Sequence, residues 1–143
     1  MDVWERETAL ARTTVVWGAA STVAGLAVAA ARRDPFWRSF GLQTAGWGAV
    51  DLAVALVGRR LQERRMRNLP DPYAPEAQER ERKKLRTVLV VNVVADVGYV
   101  ALGAVLARHE RPDLAGSGVA IIVQGGFLLV HDSLHAAGSR AQE

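Results

Sequence analysis

Charge is distributed in blocks along this chain, and that segregation limits what it can fold into. No charged residue occurs from Thr13 to Ala31 or from Leu114 to Val130, and Ser39–Gly58 and Thr87–Ala107 carry one acid each, Asp51 and Asp96. A helix crosses the hydrocarbon core of a bilayer in about 20 predominantly apolar residues, so four such runs predict four spans, at about 13–31, 39–58, 87–107 and 117–136. The runs are too long and too rich in Ala, Gly and Leu for strands, and a backbone inside lipid must satisfy its own hydrogen bonds. The expected fold is therefore all-α, an antiparallel four-helix transmembrane bundle that uses residues 1–143 as one membrane domain. A mean hydropathy of +0.05 would pass for a soluble protein only because the charged connections dilute the apolar runs.

Those connections predict the orientation. Residues 59–86 hold ten of the 18 Lys and Arg with five acids, a net +5, which leaves −2 for the rest of a chain of net +3. With that segment inside, Arg6, Arg12, the ten and Arg140 make 13 inner positive charges, against Arg32, Arg33, Arg38, Arg108 and Arg111 outside. The positive-inside rule then places both termini in the cytoplasm and the protein in the inner membrane. A reporter fused at Glu143 should stay inside. The sequence pI near 9.9 thus reflects a basic loop facing anionic lipid headgroups. No nucleic-acid partner is expected, because Tyr73 is the loop's one aromatic residue. The absence of cysteine removes disulfides, thiolate metal sites and cysteine nucleophiles. Acids before the first run argue against a signal peptide, and no lipidation box is present.

Prolines predict the helix limits. Pro35 ends the first helix beyond Arg33, and Pro70 and Pro72 stop a second helix that continues past the bilayer through Gln62–Asn68. Pro75 and Glu76 suit the start of the third. The segment 59–86 is then a charged helical hairpin on the cytoplasmic side. A short internal match, Gln43 to Asp51 in the second helix and Gln124 to Asp132 in the fourth, suggests two repeated hairpins.

Polar groups inside spans are costly and default to functional candidates. Gln43, Trp47 and Asp51 share a face at four-residue spacing. Asn92, Asp96, Tyr99 and Gly103 form a second stripe, and Gln124, Leu128, His131, Asp132 and His135 a third. Asp51 and Asp96 fall near mid-membrane, and no Lys or Arg shares their spans, so each carboxyl must be protonated, hydrogen-bonded or paired with a cation. The expected ligand-binding set is Gln43, Asp51, Asn92, Asp96, Tyr99, Gln124, His131 and Asp132. The amides and Tyr99 also suit plain interhelical hydrogen bonding. His131 and His135 stand at i and i+4, but the His-Glu-x-x-His pattern is missing and no metal is expected. No cofactor follows from the sequence.

The stretches Gln-x-x-Gly-Trp-Gly-x-Val-Asp (43–51), Asn-x-x-x-Asp-x-x-Tyr-x-x-x-Gly (92–103) and Gln-Gly-Gly-Phe-Leu-Leu-x-x-Asp (124–132) together resemble a family of small, uncharacterised four-span bacterial proteins. The resemblance spans roughly residues 40–135 and leaves the first helix out. It implies that Gln43, Asp51, Asn92, Asp96, Tyr99, Gln124 and Asp132 belong to that family's pattern, and it brings no activity. The residues favour a non-enzymatic protein that binds, and translocates, a cation, a proton or a small polar solute. The alternatives are an intramembrane enzyme or lipid-headgroup binder, and a structural partner of another membrane protein. Four helices seldom make a transporter alone, which leaves room for a homodimer, although no sequence feature fixes one.

Overall fold

The computed structural model describes residues 1–140, with side chains through Ala137, so Glu143 and the Arg140 side chain lie outside what is described. Its helices are α1 (Val3–Ala31), α2 (Pro35–Asn68), α3 (Pro75–Ala107) and α4 (Pro112–Arg140), and no strand occurs among the described residues. All four are long and apolar enough to cross a membrane. Local chemistry sets their ends. Pro35 occupies the first turn of α2, behind Asp34, whose carboxylate accepts from the backbone N–H groups of Phe36 and Trp37. α2 ends at Asn68, just before Pro70, and α3 opens on Pro75.

α1 starts ten residues ahead of its apolar run. Asp2 caps it by accepting from Glu5 N–H, and the Glu5 carboxylate accepts in return from Asp2 N–H. This Asp-x-x-Glu box was visible in the sequence, and it extends α1 through residues that the charge pattern alone assigns to a tail.

α1 packs on α2, α3 on α4, and α2 on α4. Glycine makes the closest of these approaches possible. A Cβ on Gly25 would stand 2.5 Å from the Gly41 carbonyl oxygen, and one on Gly18 would stand 2.7 Å from that of Gly48. In the other pair, a Cβ on Gly103 would stand 2.9 Å from the Gly118 carbonyl oxygen. Backbones meet at these points, as small residues allow. α1 and α3 approach each other only slightly, and among the described residues α2 and α3 share no close backbone approach. Outside the packed seams, valines stand open: Val23 is 70% exposed, Val94 69% and Val105 69%.

The end of the bundle that carries the charged hairpin is closed by the start of α1. Val3 and Trp4 are among the most buried side chains in the protein. The Trp4 indole donates to the Pro72 carbonyl at 2.8 Å, and Val3 N–H donates to Gln78 Oε1 at 3.0 Å. Gln62 donates to the Trp4 carbonyl and to the Thr8 hydroxyl. Arg65 pairs with Glu7 at 2.7 Å and with Glu81 at 3.2 Å, and Lys84 pairs with Glu81 at 2.6 Å. Trp4, which its type suggests for a membrane interface, is thus an anchor of this headpiece. Burial pushes the Glu7 carboxyl above its ordinary value of 4.5, and the Arg65 guanidinium works against that rise.

Candidate intramembrane site

One cavity of about 1350 Å³ runs from the headpiece down between the helices. Its upper part is lined by Glu7, Arg59, Arg65, Glu81, Lys83 and Lys84, and its lower part by Trp47, Asp51, Asn92, Asp96, Tyr99, Gln124, His131 and Asp132. Seven of the eight residues expected at a site therefore share one space. Gln43 does not line it, and sits half-buried more than two turns from Asp51 along α2.

The seven play different parts. Gln124 is fully engaged: its Oε1 accepts from the Trp17 indole at 2.8 Å and its amide nitrogen donates to Ser21 Oγ at 3.2 Å. It ties α4 to α1, where Trp17 also stacks on Phe127 with ring centroids 3.8 Å apart. Tyr99 meets Trp47 edge-on at 4.8 Å, a direct ring contact between α3 and α2. Asn92 is exposed on the α3 side of the opening.

The acids and His131 form the chemical centre. Asp51, Asp96, His131 and Asp132 are each more than nine-tenths buried. His131 Nδ1 and Asp132 Oδ1 are 2.9 Å apart. An ionised Asp132 keeps the proton on Nδ1 and leaves Nε2 with its lone pair. This imidazole stacks on Phe127, and the His135 ring lies tilted against it with centroids 4.7 Å apart. Asp51 Oδ2, Asp96 Oδ2 and His131 Nε2 have no hydrogen-bond partner among the described residues. Buried polar atoms are nearly always paired, so three orphans around one cavity mark a place built for something else to occupy. Asp132 lies within electrostatic range of both Asp51 and Asp96. Among the described residues, no three His, Asp or Glu side chains converge closely enough to hold a metal ion.

Sequence reasoning missed the upper lining. Glu7, Arg65 and Glu81 look like ordinary solvated charges in the sequence, and only the docking of α1 brings them to the mouth of the cavity. A signal was available in the Asp2–Glu5 capping box, which makes residues 3–12 helical and carries Glu7 onto the hairpin.

A family model described as a family of unknown function, DUF6992, matches residues 13–133. The chain belongs to that family. The match takes in the first span, which the motif resemblance left out, and begins after the headpiece residues of α1. It covers all eight residues expected at a site, from Gln43 to Asp132. No curated protein and no solved structure matches the chain.

Proposed function

We propose that this DUF6992 chain is a multi-pass inner-membrane protein whose cavity binds, and passes on, a cation or a proton at Asp51 and Asp96. The observation that carries this reading is the set of three partnerless buried atoms, two carboxyl oxygens and one imidazole nitrogen, around a single cavity. A carboxyl buried without a partner recovers its lost solvation by taking up a proton or a cation. The His131–Asp132 hydrogen bond beside it supplies an imidazole nitrogen able to accept a proton. The open valines of the four helices are suited to lipid tails.

The glycine contacts support an antiparallel bundle of two hairpins, since Gly18 meets Gly48 while the later Gly25 meets the earlier Gly41. The positive-inside count supports cytoplasmic termini, with the headpiece against anionic headgroups. A homodimer would complete the pathway on the side where α2 and α3 part.

Native mass spectrometry of protein released from nanodiscs tests the reading. A reproducible added mass, lost in Asp51→Asn and Asp96→Asn proteins that still elute as the wild type does, is the expected result. A bare chain carrying only exchangeable lipid would instead make the polar stripes structural, as in a subunit that packs against another membrane protein.

A further inference from the structure

The cavity is poorly suited to an inorganic ion. Such an ion needs several oxygen or nitrogen ligands close around it, and no cluster of three ligating His, Asp or Glu occurs among the described residues. The space of about 1350 Å³ exceeds even the usual range for drug-sized organic ligands. Its walls beside the acids are apolar, with Val50 and Val54 on α2, Val88 and Ala95 on α3, and Leu128 on α4. Trp47 and Tyr99, about one turn from Asp51 and Asp96 on their helices, meet edge-on and line the same cavity, and aromatic rings attract organic cations.

Two routes lead to Asp51 and Asp96. The headpiece mouth is a lattice of ion pairs: Arg65 with Glu7 and Glu81, Lys84 with Glu81, and Lys83 with Glu79. Its acids and bases nearly balance and are paired across the opening, so the mouth is braced by side chains and offers no unpaired acid from these pairs to draw a cation in. The second route lies between α2 and α3, which share no close backbone approach among the described residues and meet through the Trp47 and Tyr99 rings. Its rim carries Val54 and Val88, respectively 65% and 55% exposed. A molecule with an apolar body reaches the acids that way without leaving the hydrocarbon.

We infer that the ligand of this cavity is a hydrophobic organic cation, an amine or quaternary onium group on an apolar body. It enters sideways between α2 and α3 and is held by Asp51 and Asp96 beside Trp47 and Tyr99. The inference rests on the reading of those two acids as a cation site and names what that site takes.

The test is equilibrium binding of radiolabelled tetraphenylphosphonium to the full chain in nanodiscs, with empty nanodiscs subtracted. Tetramethylammonium carries the charge without the body, and triphenylmethanol the body without the charge. Saturable binding, displaced by unlabelled tetraphenylphosphonium but by neither competitor at the same concentration, is expected. Asp51→Asn and Asp96→Asn should each weaken it by about tenfold or more, the loss of one charge contact. Displacement by triphenylmethanol overturns the inference on the wild-type protein alone, whether or not the variants fold. Absence of tetraphenylphosphonium binding, alongside a small adduct in native mass spectra that both Asn variants lose, overturns the inference and leaves the cation site standing. Binding unchanged in both folded Asn variants overturns inference and cation site together.

Discussion

Gly25→Ala is the sharpest test of how the helices pack. The new methyl would stand 2.5 Å from the Gly41 carbonyl oxygen, and ordinary van der Waals contact begins at 3.4 Å, so α1 and α2 must part by about 0.9 Å there. The obstacle is backbone on both sides, Gly41 and Ala45, so no side chain can rotate away. A rigid helix cannot yield at one point alone, and the separation loosens the Gly18–Gly48 contact two turns along the same seam. Overpacking of this kind costs about 1–3 kcal/mol. Gly46→Ala is the matched control on α2, because a Cβ there meets nothing within 4 Å. It should be neutral or slightly stabilising, by up to about 1 kcal/mol from reduced chain entropy. SDS titration in mixed micelles, followed by tryptophan fluorescence, measures both. Equal midpoints for Gly25→Ala and wild type, or equal losses in the two variants, would refute the close approach of α1 to α2.

Gln124→Leu should destabilise the bundle by about 0.6–2 kcal/mol, and a double-mutant cycle with Trp17→Phe should recover much of that as coupling. Gln62→Ala removes the amide that bridges α2 to the Trp4 carbonyl and the Thr8 hydroxyl, which still bond each other, and should cost about 0.5–1.5 kcal/mol. Limited proteolysis should then cut the 69–74 turn faster than in the wild type, and unchanged cleavage would show that the headpiece does not depend on this contact. Glu7 gives a pH signature. Its folded pKa is raised, so its contribution to stability is fully present below 4.5 and is lost as pH rises through the folded value. Glu7→Gln should flatten that limb of the stability profile, read from melting temperatures across mildly acidic pH. A profile as steep as the wild type's would assign the slope to other groups.

The parts of this protein that were legible in its sequence are those determined locally. Four apolar runs and the prolines at 35, 70, 72 and 75 are enough to place four helices, because span length and proline stereochemistry act within a few residues. Asp51 and Asp96 stood out because a carboxyl in an apolar run is expensive wherever the chain goes. Long-range outcomes were not legible. Whether Gln124 served a ligand or the fold depended on Trp17 and Ser21, more than 100 residues away. The three later helices each showed a polar stripe, so nothing in their patterns said which pair would part. The short match of Gln43–Asp51 with Gln124–Asp132 shows the same limit, since Gln124 lines the cavity and Gln43 does not.

The first two turns of α1 sit between α2 and α3, tied to one through Gln62 and to the other through Gln78. Two long rods spread at one end by an inserted third behave like a pair of dividers, in which a small angle at the joint becomes a large displacement at the points. From Gln78 to Asp96 is 18 residues of α3, about 27 Å along the axis. A tilt of about 5° at the joint carries Asp96 about 2.4 Å sideways over that arm. The distance between the two acids is thus geared to how Trp4 seats beneath Pro72, far from either carboxyl.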